Sequence, residues 1–195
     1  MPSHKVSTFE WVASSSQVVR HLAHTELRGT VADVGCGTST LALALAAAPA
    51  VHRVLAIDRD AECIEHMRKM SPHPKLEYRA LNLLALGRHC AGLAGALDCV
   101  VDKGMLDCAV VEGCAAPYLR AIEAMLAPSG VFAAVSFREE RLVSRLLGSG
   151  DLAWTVCRCV ELEAEDGGPR QGLLCVVRKS ERAPAARTGD DNLEQ

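Results

Sequence analysis

Three aspartates close or interrupt short apolar runs: Val31-Ala32-Asp33-Val34, Val54-Leu55-Ala56-Ile57-Asp58 and Cys99-Val100-Val101-Asp102. Such runs read as strands, and an acid near the carboxyl end of a strand is placed where an open sheet meets its ligand. The first run leads into Gly35-Cys36-Gly37-Thr38-Ser39, two glycines one residue apart, and then into the helical run Leu41-Ala42-Leu43-Ala44-Leu45. Glycine lacks a Cβ, so a ligand can lie directly against such a turn, and the N–H groups of Thr38 and Ser39 favour its electron-rich groups. Asp58 stands 25 residues after Asp33, the separation at which a second parallel strand returns beside the first, and a carboxylate there can accept both hydroxyls of a ribose. Asn82, donor and acceptor at once, suits the edge of an adenine. Asp102 leads into Lys103 and Gly104 and should face the same crevice. Asp107 either reaches over that crevice or caps a helix.

These residues need a frame. Phe9 to Leu27 carries Val12, Val18, Val19, Leu22 and Leu27 at helical spacing and predicts a helix closed by Arg28-Gly29; Trp11 on it is either a lid over the ligand or a core aromatic. Arg53 to Asp58 predicts a second strand, Asp60 an N-cap for a helix through Ile64, Met67 and Met70, and Leu76 to Leu83 a third strand. Residues 87 to 95 form a connection or a short helix, and Leu97 to Val101 a fourth strand. Pro117 to Leu126 is helical and is stopped by Pro128-Ser129-Gly130; Gly130 to Phe137 is the fifth strand and Glu139 to Leu147 another helix. Trp154 to Leu162 and Leu173 to Arg178 flank Asp166-Gly167-Gly168-Pro169, a hairpin signal. Alternating strands and helices predict a doubly wound, Rossmann-like α/β sheet that ends in a C-terminal antiparallel hairpin.

The 195 residues fit one domain over 9 to 179, with a frayed start at 1 to 8 and a polar, disordered tail at 180 to 195. Hydrophobic residues make up 49% and aromatics 4%, so the core must be built from Ala, Val, Leu and Cys. The nine cysteines are odd in number, lie partly in apolar runs and include no Cys-x-x-Cys. They read as reduced, buried hydrophobes in an intracellular protein, with no metal site. A net charge of -3 argues against a general electrostatic grip on nucleic acid or an anionic membrane. No apolar run reaches the roughly 20 residues that cross a bilayer. The cytoplasm is the expected compartment, and the mitochondrial matrix is the alternative if a presequence precedes this chain.

Two ligand classes compete for the glycine turn. A dinucleotide would want G-x-G-x-x-G, but Thr40 stands at the third glycine position and an acid precedes the first. S-adenosylmethionine has no phosphate and carries a positive sulfonium, which nearby acids suit. Here the chain resembles the seven-stranded, class I S-adenosylmethionine-dependent methyltransferases. Asp33-Val34-Gly35-Cys36-Gly37-Thr38-Ser39 is similar to their first motif, and Asp58 to their ribose-binding acid. Val101-Asp102-Lys103-Gly104-Met105-Leu106-Asp107 resembles the D-K-G-T-x-D segment of a lysine-methylating branch that acts on citrate synthase and elongation factor 1-alpha. Phe9-Glu10-Trp11 resembles the aromatic motif that precedes the domain in that branch. The sequence departs from the branch at Met105, where Thr is usual, and at Asn82, where an acid is common.

The resemblance implies a protein-lysine N-methyltransferase that converts S-adenosylmethionine to S-adenosylhomocysteine without a metal. Its cofactor set is Trp11, Asp33, Gly35, Cys36, Gly37, Thr38, Ser39, Asp58, Arg59, Asn82, Leu83, Asp102, Lys103 and Gly104. Asp102 and Asp107 are the catalytic candidates, Asp102 to orient the incoming ammonium and Asp107 to shape the entrance. The implied partner is a lysine-bearing protein of the citrate synthase or elongation factor 1-alpha type. A small-molecule N- or O-methyltransferase and a non-catalytic cofactor-binding subunit are the alternatives.

Overall fold

The computed structural model describes residues 10, 12–22, 26–83, 92–163 and 172–181. Seven strands form one sheet: β1 (Gly29–Val34), β2 (Val51–Asp58), β3 (Leu76–Ala80), β4 (Leu97–Lys103), β5 (Leu126–Ser136), β6 (Trp154–Leu162) and β7 (Gly172–Lys179). Their order is β3-β2-β1-β4-β5-β7-β6. The first five run parallel, and β7 enters antiparallel between β5 and β6. This is the doubly wound sheet with a terminal antiparallel pair that the element order predicts. The chain leaves β1 toward β2 and β3, then returns to place β4 on the other side. That reversal opens a crevice at the carboxyl ends of β1 and β4.

Side chains alternate across the sheet, and among the described residues three helices cover each face. Val31, Cys99, Val101, Ala133 and Val135 pack with residues of α1 (Ser15–Leu22), α2 (Leu41–Ala46) and α3 (Ala61–Met70). Ala32, Val34, Val100, Phe132 and Ala134 pack with α4 (Met105–Val111), α5 (Ala115–Met125) and α6 (Glu140–Leu147). The ring of Phe132 stacks on Trp154 with centroids 5.7 Å apart, and the Trp154 indole N–H donates to the Leu147 carbonyl. Val34 sits opposite both Ile57 and Asp102, so β1, β2 and β4 finish nearly level.

Several expectations are corrected in detail. The helix expected from Phe9 to Leu27 is confined to Ser15–Leu22, because Val12 has a φ of 69° and the Ser14 hydroxyl accepts from the Gln17 N–H as a cap. β3 stops at Ala80, short of Leu83. The helix expected to run to Leu126 stops at Met125, and β5 begins at Leu126, ahead of Pro128, because Leu126 already pairs with Leu97. The cysteines are not all reduced: Cys159 and Cys175 form a disulfide, since the β6–β7 register sets them directly opposite each other. Cys36 and Cys99 are buried free thiols, as expected of packing residues, but Cys63 and Cys114 are only partly buried and Cys108 and Cys157 are exposed. The hairpin turn at 166–169, the start at 1 to 8, residues 87–91 and positions 182–195 lie outside the described residues.

Candidate functional site

The carboxyl ends of β1, β2 and β4 wall a cleft of about 420 Å³. Its floor is the turn after β1. The Gly35 and Cys36 N–H groups both donate to the Ile57 carbonyl, at 2.8 and 3.0 Å, and tie the turn to β2. Gly35 has a φ of 68°, and a Cβ there would come 3.1 Å from the side chain of Met105. Glycine is therefore needed both for the backbone and for the close approach of α4. Gly104, with a φ of 100°, makes the reversal that lets α4 start directly after β4. The Asp58 carboxylate ends β2 in the cleft, where it accepts from the Gly37 N–H at 2.9 Å and from the Asp60 N–H at 3.0 Å.

Asp33 lines this cleft at 1% exposure. Its Oδ2 has no hydrogen-bond partner among the described residues. Burial pushes its pKa up to about 7; Lys103 opposes that rise, and Asp102, Glu10 and Asp58 add to it. Lys103 also lines the cleft, but its ammonium is committed elsewhere, donating to Glu10 Oε2 at 2.6 Å and to the Ala13 carbonyl at 3.4 Å. Glu10 further accepts from the Thr40 N–H at 3.0 Å and from the hydroxyls of Thr40, Ser15 and Ser39 at 2.6, 2.9 and 3.2 Å. Burial alone would raise its pKa, but the hydrogen bonds from Lys103 and Thr40 outweigh it and bring it down to about 2.

Asp102 has a different setting. It is wholly buried, and its carboxylate accepts from the Met105 and Leu106 N–H groups at 2.6 and 2.8 Å and from the Tyr118 hydroxyl at 2.7 Å. It fastens the first turn of α4 to α5 and is not among the residues that line the cleft. Burial pushes its pKa up to about 7 against those three hydrogen bonds. Asp107, one turn further on, accepts from the Ser136 hydroxyl at 2.5 Å and the Phe137 N–H at 2.9 Å and pairs with Arg138 at 3.4 Å. It lines a second, shallower cavity with Phe137, Arg138, Glu139 and Leu142 beyond the end of β5.

Of the expected cofactor set, the structure brings Asp33, Gly35, Cys36, Gly37, Thr38, Ser39, Asp58, Arg59, Leu83, Lys103 and Gly104 to one cleft. Asn82 and Asp102 do not line it, and Trp11 lies outside the described residues. Met105, the departure from the branch, is apolar wall of the cleft, as are Ile57, Leu81 and Cys108, which the sequence pattern does not single out; nor does it single out Glu112, which pairs with Arg59 at 3.3 Å on the rim. Nor did it single out Glu10, whose signal was its place in the Phe9-Glu10-Trp11 motif. Among the described residues no helix is long and apolar enough to cross a membrane, and no group of three or more His, Cys, Asp or Glu is arranged to hold a metal ion.

The arrangement suits a ligand that brings a positive charge to Asp33, hydroxyls to Asp58 and a flat apolar group to the wall of Ile57, Leu81 and Leu83. Residues 31–130 match the model of the methyltransferase domain family. No curated protein matches the sequence significantly. Solved structures share the fold. An N-methyltransferase, NodS, from Bradyrhizobium japonicum superposes with a TM-score of 0.65 at 18% identity, over 86% of this chain and 94% of that one. The 1,6-didemethyltoxoflavin N1-methyltransferase of Burkholderia thailandensis, solved with S-adenosylhomocysteine, gives 0.62 at 19% identity, over 85% and 76%. A structure described for conversion of a disulfide bond into a thioacetal group during echinomycin biosynthesis gives 0.70 at 17% identity, over 91% and 88%.

Proposed function

Because the chain belongs to the methyltransferase domain family, the class I S-adenosylmethionine-dependent enzymes, we propose that it methylates a lysine ε-amine on a protein of the citrate synthase or elongation factor 1-alpha type. The observation that carries this reading is the meeting of the two segments that resemble the lysine-methylating branch. Glu10 and Lys103, 93 residues apart in sequence, form a 2.6 Å ion pair at the edge of the cleft. The rest of the D-K-G-x-x-D segment is also built in, with Asp102 anchoring the turn and Asp107 reaching the end of β5.

The residues present fit the methyl donor. The orphaned, buried Oδ2 of Asp33 is a costly feature of the free protein that a cationic ligand would relieve. The donor held there would supply a sulfonium methyl for transfer to an acceptor amine, with S-adenosylhomocysteine as the leaving group. Asp33 would face the positive charge, Asp58 would take the ribose hydroxyls, and Ile57, Leu81 and Leu83 would cover the base. An ammonium with a pKa of about 10.4 must first lose a proton, which costs roughly 4 to 5 kcal/mol at pH 7. That proton leaves to solvent; Asp107 and Glu139, in the cavity beyond β5, shape the entrance for the acceptor, and alignment with the methyl supplies much of the rate. Asp102 acts as a positioning residue, holding Gly104 and Met105 as wall of the cleft.

Transfer of tritium from labelled donor into purified citrate synthase and elongation factor 1-alpha tests the reading, with Asp58→Ala as control. Label in one protein, lost in the variant, supports it. Label confined to low-mass compounds would favour the small-molecule reading, to which the 1,6-didemethyltoxoflavin bound by the Burkholderia enzyme lends weight. Tight donor binding with no acceptor in any fraction would favour a non-catalytic subunit.

A further inference from the structure

Asp33 from β1 and Lys103 from β4 line the cleft on one face of the sheet, yet the ammonium pairs with Glu10 and not with Asp33. Asp33 lies opposite Val101 across β1 and β4, so alternation puts Lys103, two residues beyond Val101, on the Asp33 side and Asp102 on the other. Of the charged groups near Asp33, Lys103 acts on it most strongly. Yet the ammonium bonds Glu10 at 2.6 Å, and Asp33 Oδ2 is left without a partner. Glu10 is itself held in place by Ser15 from α1 and by Ser39 and Thr40 from the turn.

We propose that Glu10 is a positioning residue that keeps Lys103 away from Asp33, so that the cleft offers an unpaired carboxylate to the positive charge of the methyl donor. Asp58 shares this face but stands two strands from Lys103 and already accepts from the Gly37 and Asp60 N–H groups, so without Glu10 the carboxylate on the strand next to Lys103 is Asp33, and an internal ion pair would then compete with the ligand. Glu10 need not touch the donor to act; it sets which charge the cleft presents. The role concerns the donor side alone and holds whichever acceptor the enzyme uses.

The test separates charge from structure. Donor binding is compared with binding of 5′-methylthioadenosine, an uncharged nucleoside with the same adenosine and a thioether, by calorimetry at pH 8.5. In Glu10→Gln the amide oxygen still accepts from Thr40, while the charge that captures Lys103 is gone. Affinity for S-adenosylmethionine is expected to fall about tenfold, the factor of one pKa unit of differential interaction, with the nucleoside changed by less than about twofold. Adding Lys103→Met to Glu10→Gln should restore most of the preference for the cation. Equal loss for both ligands, no loss for either, or a selective loss that the second substitution does not recover would overturn the proposal.

A measurement on the wild-type protein covers the case in which Glu10→Gln does not fold. Asp33, which feels the charges of Lys103 on its own side of the sheet, of Asp102 across it, of Asp58 on β2 and of Glu10, is pushed up to about 7, chiefly by burial. Binding a cation at pH 6.5 therefore favours its ionised form and expels a proton. Calorimetry in two buffers of different ionisation enthalpy should show proton release with S-adenosylmethionine and none with 5′-methylthioadenosine. No release would mean that Asp33 is already paired and ionised, and would overturn the proposal.

Discussion

Asp33 and Asp102 are the same residue type, near the carboxyl ends of adjacent central strands, each wholly or almost wholly buried and each pushed up to about 7 by burial. They differ in what meets them. Asp102 accepts from two backbone N–H groups and a tyrosine hydroxyl, whereas Asp33 leaves one oxygen bare at the wall of a cleft. A buried acid with its donors in place is architecture; one without them is a binding energy not yet spent.

The sharpest way to break this comparison is Asp102→Ala. It strands three buried donors, so we expect a loss of about 3 to 5 kcal/mol of stability, read as a fall of roughly 10 °C or more in melting temperature. Donor affinity of the folded fraction should fall only a few-fold, because Asp102 shapes the cleft only through Gly104 and Met105. A variant that melts normally but no longer binds the donor would place Asp102 against the ligand and erase the distinction.

Asp33→Asn should do the opposite. The folded-state pKa of Asp33 lies above its ordinary value of 3.8, so the native state binds more protons than the unfolded state between about pH 4 and 7. Stability from this group is lost as pH rises through that window, and the cost is complete above it. The neutral amide removes the cost. The free variant should melt a few degrees higher than the wild type at pH 8, while donor affinity falls about 30-fold, a loss of roughly 2 kcal/mol. Gain of stability with loss of binding is the signature of an acid kept for a ligand.

A milder probe uses pH alone. If the donor needs ionised Asp33, its affinity at pH 6 should be about tenfold below that at pH 8, because each unit below the pKa costs a factor of ten in the ionised fraction. In Asp33→Asn the profile over the same range should be flat. A wild-type profile that is already flat would mean that Asp33 is ionised in the free protein.

The sequence carried much of this site and little of the distinction within it. Alternating strands and helices, the Gly35-Cys36-Gly37 turn and the acid at Asp58 are local patterns, and they led to the sheet and to most of the cleft. Which face an acid takes depends on register, and the match of Val34 with Asp102 is a long-range fact that no local pattern contains. That one-residue offset sends Asp33 and Lys103 to one side and Asp102 to the other. Glu10 was hidden for the same reason, since its partners Thr40 and Lys103 lie 30 and 93 residues away. The Cys159–Cys175 bond depended on a strand pairing with a register shift between Val156 and Arg158. Short-range competition misled the reading of the first helix, where the apolar spacing continues but the Ser14 cap and the positive φ of Val12 set a later start.

The rim of the cleft supplies the contrast of smallest expected effect. Arg59 and Glu112 pair at 3.3 Å with side chains 57% and 41% exposed, so water and salt screen them as they do not screen Asp33. An exposed pair of this kind is worth about 0 to 1 kcal/mol, and Glu112→Gln should leave the melting temperature within about 2 °C. Donor affinity should stay within about twofold, and the small difference should vanish as ionic strength is raised toward roughly 0.5 M. A tenfold change that persists at high salt would put the rim in direct contact with the ligand. The charge presented to the donor would then be set at the mouth of the cleft as well as by the bare oxygen of Asp33.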